Sequence, residues 1–200
     1  MEKRQIGLAC LLVAAFALSR WPDVMPYAVS PAYGLALCCG AFHRRFPWWL
    51  ALGTVFVTDV LKNIFQYQVN ALGGFMLFNY CAYAVVYWLG RQFSAKTSLW
   101  KFTIGGVFGA LLFYIVTNTA AWLSLSEYPK TLSGWFQALT VGLTGWPETW
   151  KFFGRTALGG GLFAALFAAA FQATAQTEPE PEPEEETAEA PEAEPEKAKS

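Results

Sequence analysis

The sequence predicts an all-α membrane protein: a six-transmembrane-helix bundle with a short outer interfacial helix and a disordered acidic C-terminal tail. Three observations carry that expectation. Of 200 residues, 54% are hydrophobic and only 14% are charged, against about 25% charged in an ordinary soluble domain. The apolar residues form long continuous runs, not the alternating pattern of a barrel strand. The charge is also split along the chain. Residues 176–200 hold ten Glu and two Lys, which leaves twelve basic against five acidic residues over 1–175, a net of +7 beneath an overall −1. A basic, very apolar body with an acidic tail excludes a soluble globular enzyme, a collagen-like chain and a disulfide-stapled secreted domain.

Six apolar runs read as spans, at residues 5–20, 28–43, 47–66, 71–90, 101–124 and 152–174. A helix needs roughly 20 apolar residues to cross about 30 Å of hydrocarbon. The last four runs meet or approach that length. The first two are shorter, and the second starts near the Ser30-Pro31 turn; short helices are tolerated where protein surrounds their ends. The first run has a competing reading as a signal peptide, because Lys3 and Arg4 precede an apolar stretch ending at Ala17-Leu18-Ser19. Arg20-Trp21-Pro22 is a poor mature start, so the run is read as a retained helix. Between the fifth and sixth runs, Glu127-Tyr128-Pro129-Lys130-Thr131 reads as a turn into a helix capped by Thr131 or Ser133. Trp135, Phe136, Leu139 and Leu143 give that helix one apolar face, the pattern of an interfacial or re-entrant element. Beyond residue 175 the chain has no apolar cluster to bury and its Glu residues repel one another, so disorder is expected. The domains are therefore 1–175, a helical bundle, and 176–200, a Glu/Pro-rich tail.

Charge sets the orientation. Lys3, Arg4, Arg44, Arg45, Arg91, Lys96 and Lys101 fall on one side, and Arg20, Lys62, Lys130, Lys151 and Arg155 on the other. The positive-inside bias then puts both termini in the cytoplasm. All nine Trp lie at run ends or in outer loops, where indole prefers the headgroup level. Small residues recur every fourth position at Ala32/Ala36/Gly40, Gly105/Gly109, Gly106/Ala110 and Gly160/Ala164/Ala168. Such rows let helix backbones approach closely, either inside the bundle or as a docking face for another membrane subunit.

Polar groups at membrane depth are costly and mark a site or an interhelical network. Asp59, Lys62 and Asn63 share one helix face by their i, i+3, i+4 spacing; Asp59 and Lys62 either neutralise each other or line a site. Asn79 and Tyr83 lie one turn apart on the fourth run. Thr117, Asn118 and Thr119 occupy the outer end of the fifth. Arg155 and Thr156 lie just inside the sixth, with Lys151 one turn before Arg155. The candidate substrate-binding residues are Asp59, Lys62, Asn79, Tyr83, Asn118 and Arg155. Asn and Tyr supply orienting hydrogen bonds and Arg155 meets an anionic group. Catalysis is not expected: His43, the sole His, sits beside Arg44 and Arg45, no P-loop or hydrolase pattern occurs, and one membrane-depth carboxylate is too few for aspartyl chemistry. No cofactor or metal is expected either, since the four Cys lack ligand spacing. Cys10, Cys38, Cys39 and Cys81 read as small packing residues, with binding of a soft metal or a corrin cobalt as the competing reading for the last three.

The order of these motifs resembles an uncharacterised family of small bacterial inner-membrane proteins assigned to transport, a domain of unknown function. The matching stretches are Ser30-Pro31 with Ala36-Leu37 and Gly40-Ala41; Thr58-Asp59; Leu89-Gly90-Arg91; Val116-Thr117-Asn118 with Ala121-Trp122-Leu123; Tyr128-Pro129-Lys130-Thr131-Leu132 with Gly134; and Phe152-Phe153 with Thr156 and Gly159. They cover about residues 20–170. The resemblance implies a bundle similar to the substrate-binding subunits of energy-coupling-factor vitamin transporters, in a bacterial inner membrane. Such subunits dock on an energising membrane subunit and ATPases. Asp59 and Asn118 match polar positions of the family; Arg155 stands where it tends to have Asn, and Gly160 where it tends to have Asp. The expected function is a vitamin-like substrate-binding or transport component whose partners are the bilayer and a small molecule, with no nucleic acid. The alternative is a non-transporting membrane scaffold or assembly factor.

Overall fold

The computed structural model describes residues 3–20, 24, 29–44 and 48–175. The described residues are all-helical. They form α1 (Lys3–Ser19), α2 (Ala32–Ala41), α3 (Trp48–Leu61), α4 (Phe75–Gly90), α5 (Leu99–Ser124), α6 (Leu132–Leu139) and α7 (Thr149–Ala175), and a π-helical turn at Lys62–Gln66 continues α3. Residues 176–200 lie outside the described residues, and the expectation of a disordered tail falls there.

Two helices, α5 and α7, are long and apolar enough to cross a membrane. Of the six expected spans, only these two are supported as membrane-crossing among the described residues. The run 28–43 condenses into a helix of 10 residues, about 15 Å long at 1.5 Å per residue. Pro31 opens it, and the turn through Phe42 closes it. α4 is apolar but has 16 residues, and α3 has 14 before the backbone widens into the π turn.

α2 has no polar face, and a helix apolar all round must be surrounded. Ala32 to Gly40 are all buried, with α3, α4, α5 and α7 packed around them. The rows of small residues make this possible. A Cβ on Gly40 would strike the Tyr87 carbonyl, and one on Gly90 would strike the Leu37 carbonyl. A Cβ on Gly34 would lie 2.5 Å from the Ala164 nitrogen. Where α5 crosses α7, a Cβ on Gly106 would strike the Gly160 carbonyl. The rows thus serve internal packing, and their buried faces are not available to dock another subunit. At one end of the bundle Phe42 stacks on Phe102 and Phe171, with centroids 5.8 and 5.0 Å away. The end of α2, the start of α5 and the end of α7 therefore meet.

The outward faces are apolar too. Ile104, Phe108 and Ile115 of α5 are exposed, as are Leu158, Leu162 and Leu166 of α7 and Leu77 and Val85 of α4.

The short helix after α5 forms as the sequence predicts, and its local chemistry explains the Tyr-Pro-Lys-Thr-Leu stretch. Lys130 Nζ donates to the Trp122 and Leu125 carbonyls, satisfying groups that the end of α5 leaves open. Thr131 Oγ1 accepts from Gly134 N–H at 3.2 Å and is the N-cap of α6. Ser133 is not the cap; its hydroxyl lies 2.9 Å from that of Thr131. A Cβ on Gly134 would strike the Pro129 carbonyl, so the turn closes only on glycine. Two indoles then fasten the hairpin: Trp122 Nε1 donates to Pro129 O at 2.8 Å, and Trp135 Nε1 to Thr119 Oγ1 at 2.9 Å. α6 ends at Leu139, so Leu143 falls beyond it.

Candidate functional site

At the end of α1, Ser19 Oγ donates to Phe16 O at 2.6 Å, and Arg20 N–H donates to Phe16 O and Ala17 O, each at 3.2 Å. That turn directs the Arg20 guanidinium toward α3, where Nη2 forms an ion pair with Asp59 Oδ1. The two side chains are only 11% and 16% exposed. Asp59 Oδ2 accepts from the Tyr80 hydroxyl of α4 at 3.1 Å. The guanidinium also lies 5.6 Å from the Phe16 ring centroid. Its Nε is buried and has no hydrogen-bond partner.

From Tyr80 an aromatic row runs inward. Tyr80 meets Phe56 and Tyr83 edge-on at 6.0 and 5.8 Å. Tyr83 packs on Phe113 at 5.0 Å and on Tyr33 at 6.3 Å, and Tyr33 lies 4.8 Å from Phe113. The Thr156 side chain of α7 hydrogen-bonds Tyr33, while its hydroxyl also donates to Phe152 O at 2.8 Å. A polar and aromatic row therefore connects α1, α3, α4, α2 and α7. Offset and edge-on ring contacts of this kind are attractive beyond their buried area.

The structure brings some of the predicted residues together and separates others. Asp59 and Tyr83 lie in the row. Asn79 is half-buried one turn before Tyr83 on α4. Asp59 pairs with Arg20 and not with Lys62, a correction to one expected pairing. Lys62 opens the π-helical turn and holds its ammonium 5.6 Å from the Tyr67 ring centroid, still within electrostatic range of Asp59. Its neighbour Asn63 ties down the α3–α4 connection, donating to Ala71 O at 3.1 Å and to Met76 Sδ at 3.4 Å. Asn118 uses its amide on its own helix, donating to Tyr114 O at 2.8 Å. Arg155 is exposed, on the face of α7 that carries Leu158 and Leu162, so it does not join Asp59. Four polar members of the row, Arg20, Tyr80, Tyr33 and Thr156, were not among the predicted site residues. A signal existed for two of them: Arg20 is the cation that closes the first apolar run, and Tyr80 precedes Tyr83 by three on one helix face.

A crevice between α2, α3 and α4 adjoins Tyr83, lined by Ala32, Leu35, Ala36, Ala51 and Val55. It is apolar and holds no space for a water molecule. Cys39 also faces it, and the Cys38 thiol donates to Ala164 O at 3.5 Å, so both thiols act in packing. Outside the spans, Glu148 Oε2 lies 3.1 Å from Lys151 Nζ and accepts from Trp150 Nε1 at 2.9 Å. The hydrogen bond from Lys151 holds the Glu148 carboxyl below the usual carboxylate range.

The arrangement is suited to recognition. Arg20, Lys62 and Asp59 sum to one positive charge, the guanidinium keeps an unused donor, and phenol hydroxyls and ring faces lie beside it. A family model, that of a family of unknown function (DUF6580), matches residues 1–182. The chain belongs to that family. No curated protein and no solved structure matches it.

Proposed function

We propose that this member of the DUF6580 family binds or transports a small molecule as an integral membrane protein, with the Arg20–Asp59–Tyr80 cluster as its recognition centre. The observation that supports this reading is a buried ion pair, joined to an aromatic row, in a bundle whose described core is otherwise mostly apolar. Burying a charge costs several kcal/mol even when it is paired, and packed hydrophobic groups of equal volume usually do as well or better. Ionisable groups at membrane depth belong by default to ligand or ion pathways. The single net positive charge favours an anionic group on the ligand.

The membrane arrangement proposed is six-pass, with α5 and α7 as the full-length spans and α1 to α4 as shorter helices around the buried α2. Trp100 and Trp122 support it. They are 22 residues apart on α5, about 33 Å at 1.5 Å per residue, close to the hydrocarbon thickness. Both termini are then cytoplasmic in a bacterial inner membrane, because Arg44, Arg91, Lys96 and Lys101 share one end of the bundle. The likeness to energy-coupling-factor substrate-binding subunits adds an energising membrane subunit and ATPases as proposed partners.

A thermal-shift panel on the detergent-purified chain tests the reading. Small carboxylates, including vitamin-like acids, are expected to raise the melting temperature. Neutral and cationic analogues are not. Tyr80→Phe, which keeps the ring and removes the hydroxyl, is expected to weaken the effective acid by roughly ten- to a hundredfold, one charge-assisted hydrogen bond being worth roughly 1.5–3 kcal/mol. A panel without a hit, or a hit indifferent to Tyr80→Phe, removes the reading.

The closed crevice beside Tyr83 favours a second reading, a membrane scaffold or assembly factor. Deleting residues 176–200 separates the two: a scaffold that holds its partner through the tail loses it, and a binding protein keeps its ligand.

A further inference from the structure

One end of the bundle gathers cations, and no acidic residue among the described residues lies in the segments that carry them. Gly40 and Gly90 are in backbone contact, which brings the end of α2 to the end of α4. The Phe42 stacks on Phe102 and Phe171 add the start of α5 and the end of α7. Gln172 Nε2 donates to Thr97 O at 2.6 Å, which fixes the last turns of α7 against the α4–α5 connection. Arg44, Arg91, Lys96 and Lys101 are all exposed around this end. The acidic residues among those described are Asp59, Glu127 and Glu148. None belongs to these segments: Asp59 pairs with Arg20, Glu148 with Lys151, and Glu127 lies in the α5–α6 connection.

The chain leaves α7 at this same end. Past Ala175 come Glu178, Glu180, Glu182, Glu184, Glu185 and Glu186, and four further Glu before Ser200. Twenty-five residues follow Ala175, a length of chain sufficient to reach the cations grouped at the end it leaves from. Tethering also keeps the acidic segment at an effective concentration in the millimolar range. A free acidic partner would have to compete with that.

We infer that residues 176–200 dock on the basic rim of their own chain, formed by Arg44, Arg91, Lys96 and Lys101, and cover it electrostatically. The contact is many weak pairs and not one fixed pose. It screens away with salt, because the Debye length falls from about 8 Å at physiological ionic strength to about 3 Å at 1 M. The rim is then withheld from other polyanions, anionic lipid headgroups included, until they displace the tail.

Zero-length carbodiimide coupling of the full chain in a zwitterionic detergent tests this, with cross-linked peptides mapped by mass spectrometry from the monomer band. Amide links are expected between Glu178–Glu196 and Lys96 or Lys101, falling at least fivefold in 0.5 M NaCl. The double variant R44E/R91E leaves both amines in place and is expected to lower the yield by a similar factor. The salt titration on the unmodified chain keeps the test valid if that variant folds poorly. Links that persist at unchanged yield in salt, or that form only with Lys130 and Lys151 or only between monomers, overturn the inference. So does loss of the links in nanodiscs containing phosphatidylglycerol when they form in phosphatidylcholine, because lipid would then be the occupant of the rim.

Discussion

Where α2 meets α4 and α5 meets α7, backbones touch across glycines; where α1 meets α3, a guanidinium reaches a carboxylate. The first kind of contact has no second arrangement. Gly40 against Tyr87 and Gly106 against Gly160 leave no room for even a methyl group, and close-packed interfaces repack only by discrete jumps. The second kind consists of exchangeable bonds. Asp59 is shared between Arg20 and Tyr80, Arg20 Nε has no partner, and α3 ends in a π turn, a distortion often found at functional sites. The proposed recognition would belong to the side whose bonds a ligand can replace, with the packed side as the frame.

The largest expected effect comes from breaking the exchangeable side unevenly. Asp59→Asn leaves the Arg20 charge buried and uncompensated, and should destabilise by about 3–5 kcal/mol. Replacing both partners, Arg20→Met with Asp59→Leu, should come within about 1 kcal/mol of the parent, or exceed it, for the same reason. Thermal unfolding in detergent checks both; equal losses in the single and double variants would mean that the pair acts through shape and not charge. Next, Gly106→Val overpacks the frame and should cost about 1–3 kcal/mol without altering ligand selectivity. A selectivity change with unaltered stability would reverse the roles assigned to the two sides.

Smaller effects sharpen the comparison. Thr131→Ala removes the α6 N-cap at a cost of about 1 kcal/mol. Hydrogen exchange should speed up over 132–139 while the rest of the bundle keeps its protection. The smallest effect is a pH dependence at Glu148. Because Lys151 holds this carboxyl below its ordinary range, its contribution is present at neutral pH and disappears as pH falls through the lowered value. Glu148→Gln should therefore match the parent in acid and lie slightly below it at pH 7. A difference that grows in acid would contradict the pairing.

Much of the frame was legible in the sequence because small-residue spacing and turn chemistry act locally. The four-residue rows announce close helix contacts, and Pro129-Lys130-Thr131 followed by Gly134 announces a turn and a cap. Span length was less legible. The run 28–43 is apolar throughout, yet only ten of its residues are helical, because apolarity suits a helix buried in protein as well as one in lipid. The site was half legible. Asp59 stands out as a carboxylate at apolar depth, but its partner lies 39 residues away, beyond any helical spacing rule, and the nearer cation, Lys62, drew the pairing. Asn118 looked available because a sequence does not reveal that an amide is spent on the carbonyl four residues earlier.

Native mass spectrometry of the chain purified in mild detergent, beside the Arg20→Met/Asp59→Leu double variant, tests the central claim most directly. The parent should carry a small anionic molecule through purification, and the double variant should fold at least to within about 1 kcal/mol of the parent's stability and carry none. A double variant that holds the same molecule at the same occupancy would show that the Arg20–Asp59–Tyr80 cluster is a structural pair and not a recognition centre.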